Sequence, residues 1–143
     1  MSVDAGTPVV PGVWLAHLAA AASAELEDWG PLAEATGEPM ATRGLTLWSS
    51  EGSSEGSSEG TSEGTSEGSS GDQEAGVWEC TAGPSYWVQE QHEFVHILSG
   101  TLTVTADGGS PVLLGPGDSA VFPRGWRGSW ELHETVRKVY VIF

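Results

Sequence analysis

Basic residues are scarce in this chain. Five lysines and arginines stand against twenty aspartates and glutamates in 143 residues, a formal net charge of −15. Five of the acids are the evenly spaced Glu51, Glu55, Glu59, Glu63 and Glu67, and setting these aside leaves the remainder strongly acidic. Such a surface repels phosphate backbones and anionic lipid, so neither nucleic acid nor a membrane is an expected partner. Cysteine occurs once, at Cys80, which excludes an internal disulfide framework and a cysteine-based zinc site. Its surroundings, Val77-Trp78-Glu79-Cys80-Thr81, read as those of a buried structural thiol. No apolar run approaches the roughly 20 residues of a membrane span. The first residues carry Asp4 and no basic residue ahead of the apolar ones, so a secretory leader is not expected. The expected compartment is the cytoplasm.

What is present is a succession of short, partly β-branched runs between Gly, Pro and Asp. Residues 76–81, 93–100, 101–105, 111–114, 119–122 and 136–143 all have this form. Thr101-Leu102-Thr103-Val104-Thr105 alternates strictly, as a strand with one buried face does. Asp107-Gly108-Gly109 and Gly115-Pro116-Gly117-Asp118 have tight-turn chemistry. Many short strands at close spacing indicate an all-β barrel or sandwich.

Ahead of this region, residues 1–43 read as an N-terminal arm with one helix over about 13–29. Trp14, Leu15, Leu18, Ala19, Ala22 and Leu26 follow a helical period, and Gly30-Pro31 supplies the stop. Its apolar side is expected to pack on the outside of the following domain, the alternative being a lid. The domain itself, residues 44–143, opens with the strand-like Gly44-Leu45-Thr46-Leu47-Trp48 and is interrupted at 49–72. There, three Ser-Ser-Glu-Gly tetrads and two Thr-Ser-Glu-Gly tetrads hold nothing apolar to bury. They read as a disordered low-complexity insert in a surface loop, an acidic tether or cation-attracting arm being the functional alternatives.

The run Glu93-Phe94-Val95-His96-Ile97-Leu98-Ser99-Gly100 organises the domain. Together with Gly117-Asp118 and Pro123-Arg124-Gly125, its spacing resembles the two motifs of the cupin superfamily. Phrases such as AGVWECTAG, EFVHILSG, GPGDSAVFPRGWRGSWE and ETVRKVYVIF are similar to small cupins related to the cupin domain of (S)-ureidoglycine aminohydrolase. The resemblance implies a double-stranded β-helix (jelly-roll) barrel, a homodimer, and a divalent transition metal held by histidines and one glutamate. Only the glutamate, Glu93, is kept. The motif histidines fall on Tyr86 and Val88, or on Trp87 and Gln89, and the histidine of the second motif falls on Gly128.

His92 and His96 are the candidates to complete a metal set with Glu93, with His133 a further imidazole. Strand alternation nevertheless puts Glu93, Val95 and Ile97 on one face and His92, Phe94 and His96 on the other. The cofactor is therefore either none or a divalent transition metal in a rearranged site. Seven tryptophans are the other distinctive feature. Tyr86, Trp87, Phe122, Trp126 and Trp130 are expected to line a ligand pocket around Glu93, or else to fill the core. Arg124, Arg127, Arg137 and Lys138 are four of the five bases; Arg137 is expected to pair with Glu79 or Glu131, or to bind a small carboxylate.

Three functions follow as expectations. The first is a small-molecule-binding cupin with a degenerate metal site. The second is a metal-dependent aminohydrolase acting on a small ureido or amide compound, and the third a non-catalytic dimerisation module.

Overall fold

The computed structural model describes residues 8–10, 13–14, 18–50 and 72–143. The tetrads between residues 51 and 71 lie outside them. The all-β expectation holds. Twelve strands and one short helix follow in the order β1 (Pro8–Val10), β2 (Val13–Trp14), α1 (Leu18–Ser23), β3 (Glu27–Pro31), β4 (Ala41–Ser49), β5 (Glu74–Cys80), β6 (Gly83–Val88), β7 (Glu93–Ser99), β8 (Leu102–Ala106), β9 (Val112–Leu114), β10 (Ser119–Phe122), β11 (Arg127–Leu132) and β12 (Val136–Ile142) among the described residues.

Two antiparallel sheets form the body. One has the order β10-β7-β12-β5-β4-β3, the other β6-β11-β8-β9; β1 and β2 make a separate two-stranded ribbon. Val95, Ile97, Val136 and Tyr140 from the first sheet meet Leu102, Trp130 and Leu132 from the second in one buried cluster. β7 alternates as its sequence requires: Glu93, Val95 and Ile97 are buried, while Phe94, His96 and Leu98 are half-buried on the outer side.

The helix expected over 13–29 is corrected. Among the described residues of that span only Leu18–Ser23 is helical, and Glu27–Pro31 is an edge strand paired with β4. Tertiary pairing overrides local propensity here. The backbone of 27–31 gains a ladder of hydrogen bonds from β4, and Trp29 gains a seat. A Cβ on Gly44 would lie 2.3 Å from the Trp29 ring, so the ring rests on a strand position where only glycine fits.

The short helix is fastened from the sheet. Arg137 Nη1 donates to the carbonyls of Ala21, Ala22 and Ala24 at 2.8, 3.0 and 3.1 Å, capping the C-terminal end of α1. Arg137 Nη2 also lies 3.5 Å from Glu79, one of the two partners expected for it. The ends of the tetrad insert meet directly, since the Ser50 amide donates to the Gln73 carbonyl and the Gln73 amide to Ser50 Oγ.

Candidate functional site in the barrel interior

Within the barrel, β6 and β11 pair so that Trp87 faces Gly128 and Ser85 faces Trp130. Ser85 is buried and Trp87 half-buried, while Tyr86 and Val88, which alternate with them, are exposed. Successive strand residues alternate between faces, so Tyr86 and Trp87 cannot both line one pocket. The pocket role expected for Tyr86 is therefore corrected: its hydroxyl donates to Asp107 Oδ2 at 2.6 Å on the outside, an interaction that raises its pKa.

The remaining expected pocket residues do come together. Trp87 and Trp130 rings lie 4.8 Å apart, Phe122 and Trp130 5.0 Å, and Phe122 and Trp126 4.9 Å edge to face. Trp78, outside the set expected from the sequence, meets Trp87 and Trp130 edge to face, each at 6.4 Å. Trp130 is fully buried, whereas Trp78, Trp87 and Trp126 are half-buried. Gly128 leaves the room these rings need: a Cβ there would lie 2.7 Å from the Trp126 ring. The Trp87 indole N–H donates to Ser85 Oγ at 2.8 Å, and Ser85 Oγ donates to the Trp130 carbonyl. The Trp130 indole N–H is buried without a partner among the described residues.

Glu93 is buried at the base of this cluster. Its Oε2 lies 2.8 Å from Lys138 Nζ, and its Oε1 accepts from Gln89 Nε2 at 3.2 Å. The Lys138 ammonium sits over the rings of Trp78 and Trp130, 4.4 and 4.5 Å from their centroids, with Tyr140 at 6.0 Å. Tyr140 in turn donates its hydroxyl to Glu74. Burial and the facing carboxylates push the Tyr140 phenol well above its usual range. Burial likewise raises the Cys80 thiol to about 11, against a smaller opposing pull from Lys138.

Lys138 was not foreseen as part of the site. The signal was present, because Lys138, Tyr140 and Ile142 share one face of a β-branched run. A charge at such a position requires a buried partner.

The expected metal set of Glu93, His92 and His96 is not assembled. His96 is on the outer face, its Nδ1 2.8 Å from Ser119 Oγ. His92 Nδ1 accepts the Arg124 amide at 3.0 Å while its ring packs on Phe143, so the imidazole pins the 123–126 loop to the end of β12. His133 bonds Thr103 on the surface. Among the described residues no three His, Cys, Asp or Glu side chains are grouped to hold an ion. Trp87, Gln89 and Gly128 occupy the interior positions where imidazoles would be needed. The donor set therefore does not fit a divalent metal.

Comparison with known structures agrees with the fold. The EutQ protein of Clostridium difficile superposes with a TM-score of 0.67 at 16% identity, over 96% of this chain and 91% of that one. A DUF861-family protein of unknown function from Pseudomonas syringae pv. tomato gives 0.64 at 19% identity over 85% of this chain and 46% of that one, so this chain spans about half its length. A DUF1255 protein from Acidithiobacillus ferrooxidans gives 0.52 at 18% identity, over 81% of this chain and 88% of that one. No curated protein sequence matches the chain. Residues 67–140, just over half of the chain, match the EutQ-like cupin domain. With its two packed antiparallel sheets and the degenerate cupin motifs around Glu93, the chain belongs to the EutQ-like cupin domain family.

Proposed function

We propose that this cupin binds a small organic molecule at the aromatic end of its barrel, with the Lys138–Glu93 pair as the polar floor. The observation that carries the reading is the half-buried state of three inward-facing rings, Trp78, Trp87 and Trp126. A barrel whose rings served only its core would bury them as it buries Trp130. Flat indole walls with a few fixed polar groups suit a small planar ligand. Hydrolysis through a metal, as in an aminohydrolase, would need donors that Trp87, Gln89 and Gly128 do not provide.

The homodimer implied by the cupin resemblance remains part of this reading, and the outer face of the larger sheet supports it. Val121, Phe94, Val141, Ala75 and Trp48 are successive cross-strand partners and form one uncharged row across five strands. Val121 is 56% exposed and Trp48 40%. In so acidic a chain, an uncharged face lets a second copy approach without like-charge repulsion. Light scattering on wild type and Val121→Glu tests it: a dimer that becomes monomeric is expected, and a monomeric wild type refutes the pairing.

Ligand binding is tested by intrinsic tryptophan fluorescence against a library of small aromatic, carboxylic and amide compounds. A saturable change that Trp87→Ala abolishes and Tyr86→Phe leaves intact is expected. A wild type that answers to no compound class removes the reading.

A further inference from the structure

Of the two sets of positions at which the cupin resemblance calls for metal ligands, the one that faces the interior is Trp87 and Gln89, with Glu93 and Gly128. Trp87 and Gly128 are cross-strand partners, and Gln89 donates to Glu93. They offer one carboxylate and no imidazole. Against that carboxylate lies the ammonium of Lys138, enclosed by the indoles of Trp78 and Trp130 and the phenol ring of Tyr140. Aromatic faces around a carboxylate form a receptor for an alkylammonium ion, and here the chain fills it with its own side chain. We propose that Lys138 is the resident cation of this barrel: its ammonium holds the place of a divalent metal, and the interior site is built to work without one.

The charge balance supports the assignment. Lys138 and Glu93 side chains are only 5% and 9% exposed, so each needs the other to remain buried and ionised. A metal ion entering beside Glu93 would have to displace the ammonium, and would gain fewer than the three or four donors it requires. The unpartnered Trp130 N–H adds a donor, not a ligand. A molecule reaching this floor meets a fixed positive hydrogen-bond donor in place of an open coordination position, which selects an acceptor oxygen. That consequence rests on the binding reading above; the cation assignment does not.

The test needs no ligand. Lys138→Ala deletes the equivalent of n-propylammonium, leaving Glu93 unpaired. The variant is expected to melt roughly 10 °C below wild type. Millimolar n-propylammonium is expected to recover part of that loss, and 1-propanol at the same concentration is not. Wild type incubated with Mn²⁺, Ni²⁺ or Zn²⁺ and dialysed is expected to retain no ion at the barrel site and to melt unchanged with chelator. A stoichiometric ion that Glu93→Gln loses would overturn the proposal, as would equal responses to the amine and the alcohol. Should Lys138→Ala fail to fold, the double variant Lys138→Met with Glu93→Gln decides. It removes both charges and is expected to fold and to melt above Lys138→Met alone; a double variant no more stable than the single one refutes the assignment.

Discussion

Arg137 and Lys138 are neighbours in sequence, yet both are buried and their charges lie on opposite faces of β12. Arg137 reaches outward to Glu79 and to the carbonyls of Ala21, Ala22 and Ala24, and Lys138 reaches inward to Glu93. The register of β12 against β7 shifts between these two residues. One dipeptide thereby holds the N-terminal arm against the barrel on one side and neutralises the interior on the other.

The outer half of this arrangement gives the first prediction. Arg137→Ala removes the guanidinium donor from three helix-end carbonyls, of which Ala21 keeps only a long bond from the Ala24 amide, and leaves Glu79 without one of its two cations. Hydrogen bonds from a buried charge are worth more than neutral ones, so a stability loss of about 3 kcal/mol is expected in urea unfolding. Limited proteolysis within residues 18–24 should accelerate by more than this global loss accounts for. Unchanged cleavage there would mean that the guanidinium does not fasten the arm.

Gly76 gives a second. It faces the interior opposite Tyr140, and a Cβ there would lie 2.5 Å from the Leu45 carbonyl oxygen and 2.8 Å from the Tyr140 hydroxyl. Gly76→Ala should destabilise by about 1–3 kcal/mol. Tyr140→Phe in the same chain should not rescue it, because the closer obstacle is backbone. Rescue would place the strain on the hydroxyl instead.

The third concerns alkaline pH. The folded-state pKa of Cys80 is raised from 9.0 to about 11 by burial, and that of Tyr140 is raised from 10.0 by burial and by Glu74. Raised values mean that the folded chain keeps these protons while the unfolded chain releases them. The contribution of the thiol to stability is therefore complete below pH 9 and is lost as pH rises through 9 to 11, on the order of 2–3 kcal/mol, while that of the phenol is complete up to pH 10 and declines only above it. Cys80→Ala should flatten the fall in melting temperature between pH 8.5 and 10.5 relative to wild type, and parallel slopes would contradict it. The same burial predicts that Cys80 resists thiol reagents at pH 8 until the chain unfolds.

Much of this architecture could be read from the sequence because it rests on alternation. The strands from residue 75 onward, and the inward set Glu93, Val95 and Ile97, follow from period-two patterning and turn chemistry. Alternation also separates Tyr86 from Trp87, since adjacent strand residues face apart and one pocket cannot hold both. β3 was hidden because Glu27–Pro31 has no strand pattern of its own and takes its form from pairing with β4. For Lys138 the inward face is legible from its alternation with Tyr140 and Ile142, but its partner is not. Only the register of β12 against β5 and β7, a long-range property, turns that lysine toward Glu93.

The insert gives the last prediction. β4 and β5 are cross-strand partners up to Ser49 and Glu74, and Ser50 and Gln73 continue the contact with two hydrogen bonds. Everything a hairpin needs is therefore in place before residue 51 and after residue 72. Loop-closure entropy depends only logarithmically on length, so exchanging residues 51–71 for a four-residue glycine-containing turn should stabilise the barrel by about 1 kcal/mol. The Gln91 side chain, which donates to the Asp72 carbonyl, keeps its partner in this variant. Urea unfolding of the shortened chain and wild type measures the difference, with tryptophan fluorescence reporting whether the interior is unchanged. A shortened barrel that is less stable would mean that the tetrads contribute contacts to the folded domain, and their role would then have to be sought in the barrel itself.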